Sequence, residues 1–359
     1  MTVCPCRSDD PRGRAGGHPV VIRRRSPSPP RKARRGRIHD RLDGQPTNSE
    51  GGAMPYVHQR VGLALSQYGA FVGRDAVIEV ARAAEALGFD SLWTGDRILD
   101  PVNPRDRRPG GTDGRMPPEY STFLDPLTVL TAAAAVTERI RLGTSTLNAP
   151  WYSPILLARN LTSLHLLSEG RLDVGLGLGW SSDDYTAVGV SWAGRGERLE
   201  EIIAVLERIW ADDPITYESG SFSVPTSRVE PKPVQHPRPP IYLAGFSSVV
   251  FERIGRRADG WLAGGVPLQV LTPMWSAIRR AAEEAGRDPD SLRMMLRINP
   301  RVTDEPVAAD LLPQAGTIEQ IAEYARSTGA YEVFADFQQT TGDLKQMLHL
   351  AERFREAMA

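Results

Sequence analysis

Cysteine is nearly absent from this 359-residue chain: there are two, Cys4 and Cys6. The rest of the chain therefore carries neither a disulfide framework nor a thiol nucleophile, which fits a reducing, cytoplasmic compartment. Histidine is sparse as well. His18, His39, His58, His165, His236 and His349 are scattered with no pair at metal-ligand spacing, so no zinc or non-haem iron site is expected. No apolar run approaches the roughly 20 residues of a membrane-spanning helix, and no membrane role is expected. An excess of one charge is also missing overall, with a net charge of -1. That balance hides a split: residues 1–53 hold 12 Arg or Lys against 5 acids, and the remainder holds 31 against 39. A mildly acidic body argues against nucleic acid as a partner of the folded domain. A small-molecule substrate is the better expectation.

Residues 1–53 combine Arg with Pro and Ser, as in "VIRRRSPSPPRKARRGRIHD", with almost no aliphatic content after Ile22. Such a segment cannot bury enough apolar surface to offset chain entropy, and a disordered basic extension is expected. Its arginine pair lacks the apolar stretch of a twin-arginine signal. It reads as an arm for nucleic acid or an anionic surface, as a flexible leader, or as sequence upstream of the physiological start at Met54. Residues 54–359 are expected to form a single domain.

From Val61 onward strand-like and helix-like segments alternate. "VGLALS" (61–66), "DSLWT" (90–94), "RIRLGTSTL" (139–147) and "RLDVGLGLG" (171–179) read as the first four strands. "PPIYLAG" (239–245), "DGWLAGG" (259–265), "LRMMLRIN" (292–299) and "YEVFADF" (331–337) read as strands five to eight. Asp125 before Pro126 is a helix start. Leu199, Ile202, Ile203, Leu206 and Ile209 form one helical stripe. Residues 212–239 read as a polar, Pro-rich excursion. About eight strands in strict alternation point to an α/β fold of the parallel (β/α)8 TIM-barrel type. A doubly wound open sheet is the competing architecture. In a barrel the chemistry belongs at the strand C-terminal ends.

Gly175, Gly177 and Gly179 at the end of the fourth strand suggest a dinucleotide fingerprint, but the spacing fails. Trp180 or Ser182 stands where the third glycine is needed, and "SSDDYTAVGVSWAGRG" reads as a loop instead of an immediate helix. Alternate glycines leave one face of the strand bare. They serve either close packing of a neighbouring element or room for a flat ligand.

Taken together, "AEALGFDSLWTGDRI" (84–98), "TERIRLGTSTLNAPWYSPILLARNLTSLHLLSEGRLDVGLGLGW" (137–180), "GERLEEIIAVLERIW" (196–210) and "PKPVQHPRPPIYLAGFSSVVFERIGRRADGW" (231–261) resemble the luciferase-like flavin and deazaflavin oxidoreductase family. The stretch "DGRMPPEYSTFLDPL" (113–127) resembles its branch that uses coenzyme F420, an 8-hydroxy-5-deazaflavin. The resemblance implies a TIM barrel of the bacterial luciferase type and a homodimer. It also implies hydride transfer between F420 and a small organic substrate. An FMN-dependent monooxygenase using reduced flavin and O2 is the alternative within the fold, and a non-catalytic cofactor-binding barrel the alternative outside catalysis.

The same resemblance implies site residues. A bulge with a cis peptide at Ser145–Thr146, followed by Leu147, would back the cofactor ring. Gly177, Gly179, Trp180, Asp183 and Tyr185 would flank it. Gly245, Phe246, Ser247 and Ser248, at a helix N-terminus suited to phosphate, would hold its anionic end beside Gly264. Where the family often has Asp-His after strand two, this chain has Asp96-Arg97. Asp96 is a cofactor-binding and catalytic candidate. Arg97 stays protonated and cannot act as a base; it binds an anionic substrate or a developing oxyanion, or else pairs with Asp96 or Asp100. Tyr68, Trp93 and Trp151, at or near strand ends, are candidate walls of the substrate pocket.

Overall fold

The computed structural model describes residues 59–107 and 116–359. The expectations for residues 1–53 and for Met54, and the first part of the "DGRMPPEY" stretch, lie outside the described residues.

Short apolar segments form eight parallel strands: β1 (Arg60–Ala64), β2 (Ser91–Thr94), β3 (Arg141–Thr144), β4 (Leu172–Gly177), β5 (Ile241–Ala244), β6 (Gly260–Gly264), β7 (Arg293–Ile298) and β8 (Glu332–Ala335). They pair in the order β3-β2-β1-β8-β7-β6-β5-β4, and a further β3–β4 pairing closes the ring. The chain is a (β/α)8 barrel. The register runs Val61 against Val333 and Leu142 against Leu172, so both edges of every strand are paired. All residues of β2, β4 and β8 are buried because one face meets the barrel interior and the other the helices.

The helices are α1 (Arg74–Ala86), α2 (Pro126–Ala134), α3 (Pro154–Leu167), α4 (Ser182–Ala187), α5 (Arg195–Ala211), α6 (Ser248–Arg257), α7 (Leu268–Glu284), α8 (Ile318–Ser327) and α9 (Leu344–Ala357). Asp125 starts α2, its carboxylate accepting from the Thr128 amide at 2.7 Å. The stripe Leu199, Ile202, Ile203, Leu206 and Ile209 of α5 is buried against the barrel. Two segments differ from their sequence reading. The loop after β4 contains the short helix α4, capped by Ser181. The excursion 212–239 contains an antiparallel hairpin of Ile215–Glu218 and Ser223–Ser227. Both are stabilised by tertiary contacts that local pattern does not encode.

Alternate strand residues fill the barrel with Trp93, Tyr242, Leu262, Met295 and Phe334, a cluster separate from the strand–helix core. Trp93 stacks on Phe334 at 4.7 Å between centroids. A Cβ on Gly143 would lie 2.4 Å from the Trp93 ring, so that glycine makes room for the indole. Below this layer Glu332 accepts from Trp93 Nε1 at 2.7 Å and faces Arg60 at 3.4 Å, while Arg141 pairs with Asp173 at 2.6 Å. The N-terminal end of the barrel is thereby plugged, and open space is left at the other end.

Candidate active site

The sequence reads as one third strand over 139–147, but β3 stops at Thr144 and pairing resumes at Leu147–Asn148. Gly143 lies opposite Asp173 and Leu147 opposite Leu176, so four steps on one chain face three on the other. The extra residue is a bulge. Its Ser145–Thr146 peptide is cis, at the bond the resemblance implied. Thr144 Oγ1 donates to the Gly175 carbonyl at 2.8 Å and accepts from the Gly175 amide at 2.9 Å, replacing the lost ladder bonds.

The glycines of β4 make this bulge possible. A Cβ on Gly175 would sit 1.8 Å from the Thr144 carbonyl oxygen, and one on Gly177 2.5 Å from Thr146 Oγ1. Close packing therefore accounts for both positions. Gly179 turns the chain at φ +68°, beside Asn148. Gly177 and Gly179 also border the cavity that the bulge faces.

That cavity, of about 810 Å³, opens at the C-terminal ends of the strands. Ten of the residues singled out from sequence line it: Asp96, Arg97, Ser145, Thr146, Gly177, Gly179, Trp180, Gly245, Phe246 and Ser247. Ser247 is the N-cap of α6, and its side chain accepts no capping bond from the described residues. Gly245 has φ 148°, and a Cβ there would lie 2.9 Å from Val250. Only glycine lets the chain enter α6 along this path.

Other expected residues lie behind the walls. Trp93 is sealed in the barrel interior. Tyr68 is buried, donating to Asp336 at 2.9 Å and stacking on Tyr120 at 4.5 Å; Tyr120 and Phe123, not Tyr68, face the cavity. Tyr185 is buried between Trp151 and Trp192 and donates to the Leu178 carbonyl. Asp183 pairs with Arg105 at 3.1 Å. Leu147 is core, and Gly264 packs beneath Phe246, where a Cβ would meet the ring at 3.2 Å. Ser248 begins α6 and is exposed outside the lining.

Asp96 Oδ2 accepts from the Asn148 amide at 2.9 Å and from Tyr152 Oη at 3.0 Å. Burial pushes its carboxyl up to about 6, against the pull of those two donors. Asp184, another lining carboxyl, is also raised by burial, and Arg97 opposes the rise. The Arg97 guanidinium lies over the Trp180 ring at 5.2 Å.

Sequence reasoning missed Arg297. It projects from β7 under the bulge, donating from Nη1 to the Ser145 carbonyl at 3.1 Å and from Nη2 to Asp336 at 2.6 Å. Burial works against its charge, but Asp336 more than offsets this and the group stays fully protonated. The available signal was the second of two arginines in "LRMMLRIN", placed near the C-terminal end of the strand. Asn148, Asp184 and Arg195 were missed as well.

The family model described as luciferase-like monooxygenase matches residues 56–359. The chain belongs to this family. An uncharacterized protein of Mycobacterium tuberculosis is 33% identical over 215 residues, covering 58% of this chain and 74% of that protein. A phthiodiolone/phenolphthiodiolone dimycocerosates ketoreductase of Mycobacterium bovis is 30% identical over 221 residues, 58% of this chain and 56% of that one. Among solved structures, monooxygenase RslO1 from Streptomyces bottropensis superposes with a TM-score of 0.70 at 22% identity, over 83% of this chain and 98% of that one. An F420-dependent secondary alcohol dehydrogenase in complex with an F420-acetone adduct superposes at 0.67 and 18% identity, over 84% and 100%. These two likenesses concern the fold. No helix among the described residues is long and apolar enough to cross a membrane.

Proposed function

We propose that this luciferase-like protein moves a hydride between a deazaflavin of the F420 type and the carbonyl or alcohol carbon of a small organic substrate. The cavity carries the reading. It combines the aromatic faces of Tyr120, Phe123, Phe246 and Trp180 with the uncapped start of α6. That donor set suits a planar ring with an anionic tail. Thr146 and Gly177 would back the ring, and Gly245 to Ser247 would take the phosphate at the positive end of α6.

A bound deazaflavin supplies the carbon-centred hydride chemistry. The chain's own residues manage charge and protons. With Oδ2 of Asp96 engaged by two donors, Oδ1 is the oxygen that would hold a proton in this residue of the cavity lining. Asp96 would hand its proton to the substrate oxygen on which charge develops during carbonyl reduction. Oxidation runs the same transfers backwards. Arg97 stabilises the oxygen charge without exchanging a proton. The ketoreductase relative and the F420-dependent dehydrogenase neighbour support this reading.

A second reading is a monooxygenase that uses reduced FMN and O2. It draws support from RslO1 and from a type II Baeyer-Villiger monooxygenase in complex with FMN, which superposes at a TM-score of 0.68 with 17% identity, over 84% of this chain and 98% of that one. Titrating the purified protein with F420 and with FMN, read by quenching of cofactor fluorescence, decides between them. F420 binding at least tenfold tighter is expected, and tight FMN binding without F420 binding overturns the proposal.

A further inference from the structure

Three arginines line the main cavity: Arg97, Arg195 and Arg297. Arg97 and Arg195 lie over aromatic rings, those of Trp180 and Trp192, at 5.2 and 3.7 Å from the centroids. Arg297 stands instead against the bulge of β3 and bonds its Ser145 carbonyl. A Cβ on Gly95 would lie 3.7 Å from Arg297 Nη1 and 3.6 Å from the Ser145 oxygen, so glycine at 95 keeps a side chain off this bond.

The Arg297–Asp336 pair is lopsided. Asp336 Oδ2 accepts from Arg297 Nη2 at 2.6 Å and from Tyr68 Oη at 2.9 Å, and Oδ1 accepts from the amide and Nε2 of Gln338 at 3.0 and 3.2 Å. The carboxylate charge is thus shared among several donors deep in the wall, where the Asp336 side chain is 0% exposed. The Arg297 side chain is 22% exposed and belongs to the cavity lining. The pair is therefore a fixed dipole, its negative end sealed and its positive end at the cavity. Burial pushes the Tyr68 phenol well above its ordinary range, so Tyr68 stays neutral and does not cancel the cation. A charge held in such a wall is screened far less than one in water.

We propose that Arg297 is the positive pole of the ring site: its guanidinium, locked by Asp336 against the bulge, stabilises negative charge on the ring of the bound cofactor. This rests on the reading of the cavity as a flavin or deazaflavin site and applies to either ring. It assigns Asp336 the opposite influence, since the carboxylate offsets part of the field of the cation. Arg297 is a positioning residue in this account, acting on the ring's charge without exchanging a proton.

The test exploits that difference of sign. Full-length protein is loaded with F420, and the ionisation of the cofactor's ring hydroxyl is followed by absorbance as pH is varied. Arg297→Met combined with Asp336→Asn withdraws both charges and strands neither. The acid dissociation constant of the hydroxyl should then fall by roughly tenfold. Asp336→Asn alone keeps the cation and should raise the constant by about threefold or more. Shifts in the same direction, or both smaller than twofold, overturn the proposal. If the double variant does not fold, the sign of the Asp336→Asn shift decides. If the protein binds FMN and not F420, the hydride-transfer reading fails alone. The same variants are then compared by the affinity of bound FMN for sulfite, which adds to the ring and leaves it anionic, with the same two directions expected. If neither cofactor binds, both readings fall.

Discussion

Asp96→Asn replaces a half-buried carboxyl by an amide of nearly the same shape. The amide oxygen can still accept from the Asn148 amide and Tyr152 Oη, so the packing is kept. What disappears is the cost of ionising the group inside the protein. Its carboxyl is raised from 3.8 to about 6, chiefly by burial. One pH unit of displacement is worth ~1.36 kcal/mol, so the full penalty is about 3 kcal/mol. Water reaches part of the side chain, and screening reduces this to about half, ~1.5 kcal/mol. The sign follows from proton binding. Between pH 3.8 and about 6 the folded protein binds more protons than the unfolded chain, so stability falls as pH rises through that window and stays low above it. The variant should therefore melt about 3 °C above wild type at pH 8 and level with it near pH 4. Thermal unfolding of the cofactor-free protein at pH 4, 6 and 8 measures this. A difference that does not change with pH, or a variant less stable at pH 8, refutes the argument. The same variant should reduce carbonyl substrates about 100-fold more slowly, the usual loss on removing a positioned acid.

Gly175→Ala would drive a methyl into the Thr144 carbonyl and the Leu262 side chain, and should cost about 3 kcal/mol or more in urea unfolding; a change within ~0.5 kcal/mol contradicts the packing account of the β4 glycines. His165 Nε2 accepts from the amides of Val234 and Gln235 at 3.1 and 3.3 Å, and burial, with Arg141 nearby, lowers its pKa below 6.5. The unfolded chain then takes up the proton first, so stability should be lost as pH falls below about 6.5. Hydrogen-exchange protection at residues 234 and 235 should drop between pH 7 and 5, and protection that holds steady would rule out His165 as the anchor of that segment.

Much of the site was legible because its backbone features are local. The turn at Gly245, the N-cap position at Ser247 and the Asp96-Arg97 pair all stand at recognisable strand ends. The side chains that complete it were not legible for the opposite reason. Arg297 meets Ser145 across 152 residues, and Asp184 reaches the cavity from a six-residue helix that looked like a loop. Trp93 and Tyr68 lie behind the cavity lining, and their depth along the barrel axis cannot be read from a strand end.

The sequence by itself determined the order of strands and helices, since each rests on a period of 2 or 3.6 within a few residues. It also pointed to the C-terminal ends of the strands, where the cavity opens. Only the tertiary structure decided which inward side chains stop in the plug and which reach the open end, because that depends on the stagger between neighbouring strands. It likewise decided that Gly175 and Gly177 accommodate a bulge of β3. The physical reason is the extra residue on the neighbouring strand, whose Thr144 carbonyl and Thr146 hydroxyl occupy the space a side chain would need.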